Sequence, residues 1–179
     1  MKNKSSSGKH RLTGLFSDTG SAERAFQTCI DRGYEIGQVN VVISESTRRA
    51  LFADDSKLGT ELARHKAEGG ELGGPSGGRV GILVTIFAAM GAAVAVPALG
   101  FVLAGPVVVA LSAAGAAGLA AGLIGALGDW GVPKERIRQY EAAVKDGGIL
   151  MLLETRDEAD ARAIERRWKE LGGRDIHYS

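Results

Sequence analysis

The amino-acid sequence predicts an α+β fold in which a sheet built from two charged flanks is interrupted by an apolar helical hairpin. Both flanks alternate between strand and helix patterns, and the stretch between them has a very different composition. The 49 residues from Val80 to Gly128 contain no charged side chain, although the chain has 22 Lys and Arg and 21 Asp and Glu. Of these 49 residues, 15 are Ala and 9 are Gly. The chain therefore combines a charged domain with one apolar insert.

The first flank reads as β-α-β. Residues Arg11–Phe16 are short and partly alternating, and turn and helix-cap residues follow them. From Ser21 to Arg32 apolar residues recur at three- and four-residue spacing, and Gly33 is placed to end that helix. The Val- and Ile-rich end of Tyr34–Ser44 predicts the second strand.

The second flank reads as α-β-α-β. Pro133 suits a first helical position, and a helical stripe follows it as far as Gly147 and Gly148. Ile149–Leu153 has the composition of a buried strand, a further helix begins after Asp157, and Asp175–Tyr178 alternates like an edge strand. Four strands and three helices in this order match a ferredoxin-like split β-α-β sheet with one extra helix.

These patterns divide the chain into four parts. The Lys- and Ser-rich start lacks the apolar stretch of a secretory signal and is expected to be a disordered tail. The single cysteine, Cys29, cannot form an internal disulfide and suggests a reducing compartment. The parts are a tail at 1–10, a split ferredoxin-like domain at 11–55 and 131–179, a polar helix with a Gly-rich linker at 56–79, and the apolar hairpin at 80–128.

The apolar insert is long enough for two helices. At 1.5 Å per residue it would cross a hydrocarbon layer of about 30 Å roughly twice, with a turn at Gly105 and Pro106. Small residues at four-residue spacing in its second half form a glycine-zipper-like face that another helix backbone can approach closely. We predict that this helix-packing face consists of Ala110, Ala114, Gly118, Gly122 and Ala126.

Charged and aromatic residues at the ends of the insert predict its orientation. Arg79 precedes the insert, and Lys134 and Arg136 follow it, so positive charge lies at both ends of the hairpin. Cytoplasmic loops of membrane proteins carry such an excess of Lys and Arg. Trp130 is placed to anchor the segment at a membrane interface. Both flanks would then face the cytoplasm from the inner membrane of a bacterium. The alternative is a cytoplasmic oligomer that buries the hairpin between subunits.

No pattern in the sequence predicts catalysis, a cofactor or a metal. Gly74–Gly78 matches G-x-S-x-G but lacks the preceding strand that a nucleophile elbow requires, and no phosphate-loop motif is present. His10, His65, His177 and Cys29 lack metal-ligand spacing. The expected protein is therefore not an enzyme and holds no cofactor.

Basic residues do not predict nucleic-acid binding. Arg162, Arg166 and Arg167 alternate with acidic residues, which is typical of a solvated, ion-paired helix face. A net charge of +1 gives no electrostatic basis for a nucleic-acid footprint.

One segment resembles a known family. The run from Gly131 through Val-Pro-Lys-Glu-Arg-Ile-Arg-Gln-Tyr-Glu-Ala-Ala-Val-Lys-Asp-Gly-Gly-Ile-Leu-Met-Leu to Leu153, directly after a Gly/Ala hairpin, is similar to a bacterial family of general-stress or heat-induced stress proteins. That family joins a short β-α-β start to a glycine-zipper segment and then to this helix-strand unit. The resemblance implies a bacterial, non-enzymatic, stress-associated protein.

Composition and resemblance together give one main functional hypothesis and two alternatives. The main hypothesis is a membrane-associated stress protein with cytoplasmic ferredoxin-like flanks, whose partners are other copies of itself and the lipid bilayer. The first alternative is a soluble homo-oligomeric assembly protein, and the second is a small-ligand regulatory domain. The sequence identifies no other protein partner.

Overall fold

Both flanks belong to one folded unit. A computed structural model describes residues 10–51, 94–96, 100–105, 123–125, 127–128 and 130–179. Residues Ile36–Gln38 form one 3-10 turn. The elements are β1 (His10–Phe16), α1 (Thr19–Asp31), β2 (Val39–Ser44), α2 (Glu45–Leu51), β3 (Val94–Val96), β4 (Phe101–Ala104), α3 (Lys134–Lys145), β5 (Ile149–Thr155), α4 (Glu158–Glu170) and β6 (Arg174–Tyr178).

The strands form one six-stranded antiparallel sheet in the order β3-β4-β2-β5-β1-β6. At its centre β1 pairs with β5 from His10↔Thr155 to Phe16↔Ile149. The mixed α/β class is confirmed, and the four strands and three helices predicted in the flanks lie within a few residues of their expected bounds. The helix α2, directly after β2, was not predicted.

Side chains of the central strands are buried on both faces of the sheet. Leu12 and Met151 belong to the cluster beneath α1 and α4, where Trp168 packs edge-on against Phe16. Leu15 belongs to the opposite cluster, which α3 covers with Ile137, Tyr140 and Val144. Successive side chains of each strand point to opposite faces of the sheet and so belong to two separate cores. The domain therefore has three layers.

The helix ends explain why the flank predictions are accurate. Asp18 and Asp157 cap α1 and α4 by accepting hydrogen bonds from the amides of Ser21 and Asp160. At the end of α3, Gly147 has a φ of 97°. Its amide donates to Val144 O and the Gly148 amide donates to Ala143 O, which is a Schellman motif. Equivalent pairs of bonds end α1 and α4.

Two β-α units within the domain are matched in length. β1 and β5 each have 7 residues, α1 and α4 each have 13, and two residues connect strand to helix in both. The capping aspartates occupy the same place in the two units. Because β1 and β5 pair antiparallel, the two units are arranged about the middle of the sheet with approximate two-fold symmetry.

The predicted helical hairpin is wrong for two stretches of the insert. Val94–Val96 and Phe101–Ala104 are strands, and β4 pairs with β2 from Val41↔Ala104 to Ser44↔Phe101. All four β4 side chains are buried, on alternate faces of the sheet. A short apolar run bounded by glycines is compatible with a buried strand as well as with a helix. Here it forms a strand because it pairs with the free edge of β2. Part of the insert is therefore integral to the sheet.

The other predictions for the insert have different outcomes. Gly105 ends β4, and a Cβ atom there would lie 2.9 Å from Asn40 Cα, so its φ of 106° and its lack of a side chain are both required. Leu123 and Leu127 are buried in the cluster beneath α3.

Within the part of the chain that the structure describes, no helix combines the length and apolarity needed to cross a bilayer. The linker at 56–79 and the packing face Ala110, Ala114, Gly118, Gly122 and Ala126 lie outside the described residues.

Gly14 provides a test of the packing between β1 and α4. A Cβ atom on Gly14 would lie 2.8 Å from Trp168 Cε3. We expect Gly14→Ala to lower the free energy of unfolding by about 1–3 kcal/mol, because the fully buried indole ring must move. Urea denaturation measures the change. Gly37→Ala is the matched control because nothing lies within 4 Å of its Cβ position, and equal stability of the two variants would contradict the packing.

Candidate functional site

The junction where the apolar insert rejoins the domain is built around Trp130. Its side chain is buried, and the Arg11 guanidinium lies 5.1 Å from the centroid of its ring. Its carbonyl oxygen accepts a hydrogen bond of 2.7 Å from Ser179 Oγ. A cation over an aromatic ring and a bond to the end of β6 hold this residue in the domain. The indole proposed as a membrane anchor thus packs against β1.

Lys134 and Arg136, the other predicted interface residues in the described part, differ in their exposure. Lys134 is exposed at the start of α3. Arg136 is half-buried, and its Nη1 lies 3.5 Å from Asp175 O, to which Tyr140 Oη donates a hydrogen bond of 2.6 Å. Arg136 therefore belongs with Trp130 at the β1–β6 side of the sheet. Arg79 lies outside the described residues, and the assignment of this group to a membrane interface stays a prediction.

A second polar cluster joins the end of α1 to the start of α4. Tyr34 donates a hydrogen bond to Asp160 Oδ2, and Arg32 Nε donates to Asp160 Oδ1 at 2.7 Å. The Arg156 guanidinium lies 4.4 Å from the centroid of the Tyr34 ring. The Asp160 side chain is only 13% exposed. Residues more than 120 positions apart are thus held together by one carboxylate.

The ionisation of this cluster indicates a structural role. Burial raises the pKa of Asp160, but the hydrogen bonds from Tyr34 and Arg32 outweigh it and hold that pKa below its usual value. Burial, followed by the hydrogen bond to Asp160, raises the pKa of Tyr34. At neutral pH the carboxylate is therefore charged and the phenol is neutral. Neither group is poised to exchange a proton at that pH.

A cleft of about 640 Å³ lies beside the end of β2. Its cationic side is formed by Arg49 and by Lys145, whose ammonium group lies 5.6 Å from the centroid of the Phe101 ring. Glu45 in the cleft has a pKa of about 2, because Arg48 and Arg49 donate hydrogen bonds to it. The Ser44 hydroxyl accepts a bond of 3.0 Å from the Thr47 amide. The polar groups of the cleft are thus largely bonded to one another.

The described residues offer little for catalysis or metal binding. Among them, no group of three or more His, Cys, Asp and Glu side chains could hold a metal ion. His10 Nδ1 bonds to Tyr178 Oη and His177 lies on β6, while His65 and the Gly74–Gly78 motif are outside the described residues. Cys29 is fully buried, and burial raises its pKa to about 12, so it remains a thiol that packs in the core.

No protein family, curated protein or solved structure matches the chain. The resemblance of Gly131–Leu153 to general-stress proteins therefore stays a prediction. The structure does assign a role to several residues of that run. Val132 is buried beneath α3, Gly131 adopts a φ of 72°, and Gly147 and Gly148 end the helix.

The Asp160 cluster gives a prediction with a defined pH dependence. We expect Asp160→Asn to lower the free energy of unfolding by about 1.5–3 kcal/mol at pH 7, because Arg32 loses a charged partner. Since the pKa of Asp160 is lowered in the folded state, its stabilisation is present above about pH 4 and is lost as the pH falls through that lowered pKa. Urea titrations between pH 2 and pH 7 measure both effects.

Glu158→Gln is the control for that experiment. Glu158 pairs with Arg162 on the exposed surface of the same helix, so its loss should cost no more than about 0.5 kcal/mol. A difference between wild type and Asp160→Asn that stays constant down to pH 2 would contradict the ionic account.

Proposed function

We propose that the chain is a non-enzymatic, self-associating protein of the bacterial stress type, in which a ferredoxin-like domain holds a Gly/Ala-rich apolar segment by both ends. One observation carries this proposal. On one side of residues 106–122, β4 pairs with β2 and is buried in the sheet. On the other side, Leu123, Leu127 and Trp130 are buried beneath α3. The 17 residues between these attachments carry no charge.

The order of four strands supports the ferredoxin-like part of the proposal. Without β3 and β4, the sheet order is β2-β5-β1-β6, with α1 and α4 each connecting two strands that are separated by one neighbour. Two interleaved β-α-β units of this kind define the ferredoxin-like arrangement. In this interpretation, β3 and β4 extend the sheet beyond β2, and α3 is an added cover for its second face.

Segment lengths favour self-association over two complete membrane spans. Because residues 94–96 and 101–104 are strands, the uncharged stretches available for insertion shorten to 80–93 and 106–122. Even as continuous helices these would measure only about 21 and 26 Å, against about 30 Å for the hydrocarbon layer. A partner protein surface has no such minimum length. We therefore favour a second copy of the same segment as the partner.

The predicted packing face supplies a mechanism for that association. Four of its five residues, Ala110, Ala114, Gly118 and Gly122, recur at four-residue spacing within 106–122, so a helical segment there would present one smooth stripe. Small side chains let two helix backbones approach closely and gain van der Waals contacts along the stripe. Anchoring both ends of the segment to a folded domain also lowers the conformational entropy that association must remove.

Membrane association is the second candidate function. The observation that favours it is the 49-residue run without a charged side chain, which would allow a shallow or re-entrant insertion. Fractionation of cells followed by a carbonate wash separates the two functions. Protein released by carbonate, which sediments as an oligomer in buffer, supports self-association. Protein retained in the membrane pellet supports insertion instead.

The glycines of the packing face provide the sharpest test of self-association. Gly118→Leu and Gly122→Leu should each weaken association about 10-fold, because the larger side chain holds the two backbones apart at a cost of about 1–3 kcal/mol. Sedimentation equilibrium over a wide concentration range measures the change. Val108→Leu, which adds bulk on a face of the helix away from the stripe, is the control and should associate like wild type.

Two outcomes of that experiment would contradict the proposal. A wild-type protein that is monomeric at every concentration would reject self-association itself. Glycine variants that associate like wild type, beside a Val108→Leu variant that does not, would show that the stripe is on the wrong face. The stress role is tested separately, by measuring whether the protein becomes more abundant after heat shock.

A further inference from the structure

The strand β6 is held less completely than the strands at the centre of the sheet. In the sheet that the structure describes it lies at the edge, beside β1. Its pairing with β1 changes register between Thr13 and Leu15, which is typical of a β-bulge. No side chain of β6 is fully buried, whereas most residues of β1 are buried. β6 therefore has the properties of an element that opens while the rest of the sheet stays folded.

Unfavourable features are concentrated where β6 meets α3. Asp175 has a φ of 50°, a left-handed conformation that is strained for a residue with a side chain. His177 lies opposite Thr13, whose hydroxyl bonds to Tyr140, so the His177 side chain is on the α3 face. Arg136 Nε and His177 Nε2 are buried without a hydrogen-bond partner in the part of the chain that the structure describes. Water can bond to both atoms once β6 and α3 separate, so opening relieves their desolvation.

Trp130 contacts both strands at the end of the β1–β6 ladder. Ser179, which follows β6, donates its hydroxyl to Trp130 O at 2.7 Å. Ser179 also exchanges two backbone hydrogen bonds with Arg11, of 2.9 and 3.0 Å. The Arg11 guanidinium in turn lies 5.1 Å from the centroid of the Trp130 ring. The backbone at Gly131 comes so near that a Cβ atom there would lie 3.1 Å from Ser179 Cβ.

We propose that β6 is a releasable edge strand and that Trp130 is the latch that keeps it closed. While Trp130 is docked, its contacts with the end of the ladder outweigh the unfavourable contact between β6 and α3. Withdrawal of Trp130 removes those contacts, so that β6 detaches and the edge of β1 is exposed. Trp130 lies two residues after the apolar insert, so a partner that displaces the end of the insert opens the sheet at the edge opposite β3. The device is the same whichever partner engages the insert.

The coupling between the latch and the strand acts in both directions. If Trp130 stabilises the closed position of β6, then β6 stabilises the docked position of Trp130 by the same factor. A change that weakens β6 therefore loosens Trp130 even where it does not touch that residue. Tyr178 allows this test, because it stacks on His10 and packs on the face beneath α1 and α4, whereas Trp130 is buried on the opposite face.

Native-state amide hydrogen exchange of the full-length chain, followed by NMR, tests the latch. Ser179→Ala removes the hydroxyl that bonds to Trp130 O. We expect the Arg11 amide, which donates to Ser179 O, to exchange about 10-fold faster in this variant, while the amides of β2 and β5 are unchanged. Ser17→Ala, the same change at an exposed serine beyond the other end of β1, is the matched control and should exchange like wild type. Equal acceleration in the control, or none in Ser179→Ala, would overturn the proposal.

Two variants of β6 test the strain and the reciprocity. His177→Leu removes the unpartnered nitrogen and should slow exchange of the Arg11 amide about 5-fold. Tyr178→Ala should speed exchange of the Trp130 amide, which donates to Leu127 O at 3.0 Å, about 10-fold. The amides of β2 and β5 report global unfolding and are the reference in both variants. Exchange that His177→Leu does not slow, or a Trp130 amide that Tyr178→Ala leaves unchanged, would overturn the proposal.

Discussion

The structure depends on the antiparallel ladder between β1 and β5. These two strands pair along seven residues at the centre of the sheet, and most of their side chains are buried. Because successive side chains of a strand point to opposite faces, a strand that is apolar at successive positions must be covered from both sides. Leu150, Met151 and Leu152 follow one another in β5 and are all fully buried. A two-layer domain could not satisfy this requirement.

The two faces are covered in different ways. α1 and α4 cover one face, and each is connected directly to the strand that precedes it. The other face depends on α3 and on Leu123, Leu127 and Trp130 from the end of the apolar insert. The insert also supplies β4, which contributes Phe101 and Leu103 to that face. Any partner that engages residues 106–122 therefore acts on a segment whose two ends belong to the core.

The flanks could be predicted because their signals are local. Asp18 and Asp157 mark the starts of two helices, and glycines mark the helix ends. Each of these residues acts on backbone groups within a few positions of itself. β3 and β4 could not be predicted in this way, because Phe-Val-Leu-Ala becomes a strand only beside the free edge of β2. The same reason applies to the sites. Tyr34 and Asp160 are 126 residues apart, so only the folded chain brings them together.

The most direct test of this account is whether β4 pairs with β2. Val42 and Leu103 are opposite each other in the two strands, and residues paired in this way have Cα atoms close enough for a disulfide. In a Cys29→Ala background, the Val42→Cys, Leu103→Cys double variant should form an intramolecular disulfide on mild oxidation, as should a Leu15→Cys, Leu150→Cys pair in the central ladder. A disulfide in the central pair but none between positions 42 and 103 would contradict the placement of the insert in the sheet.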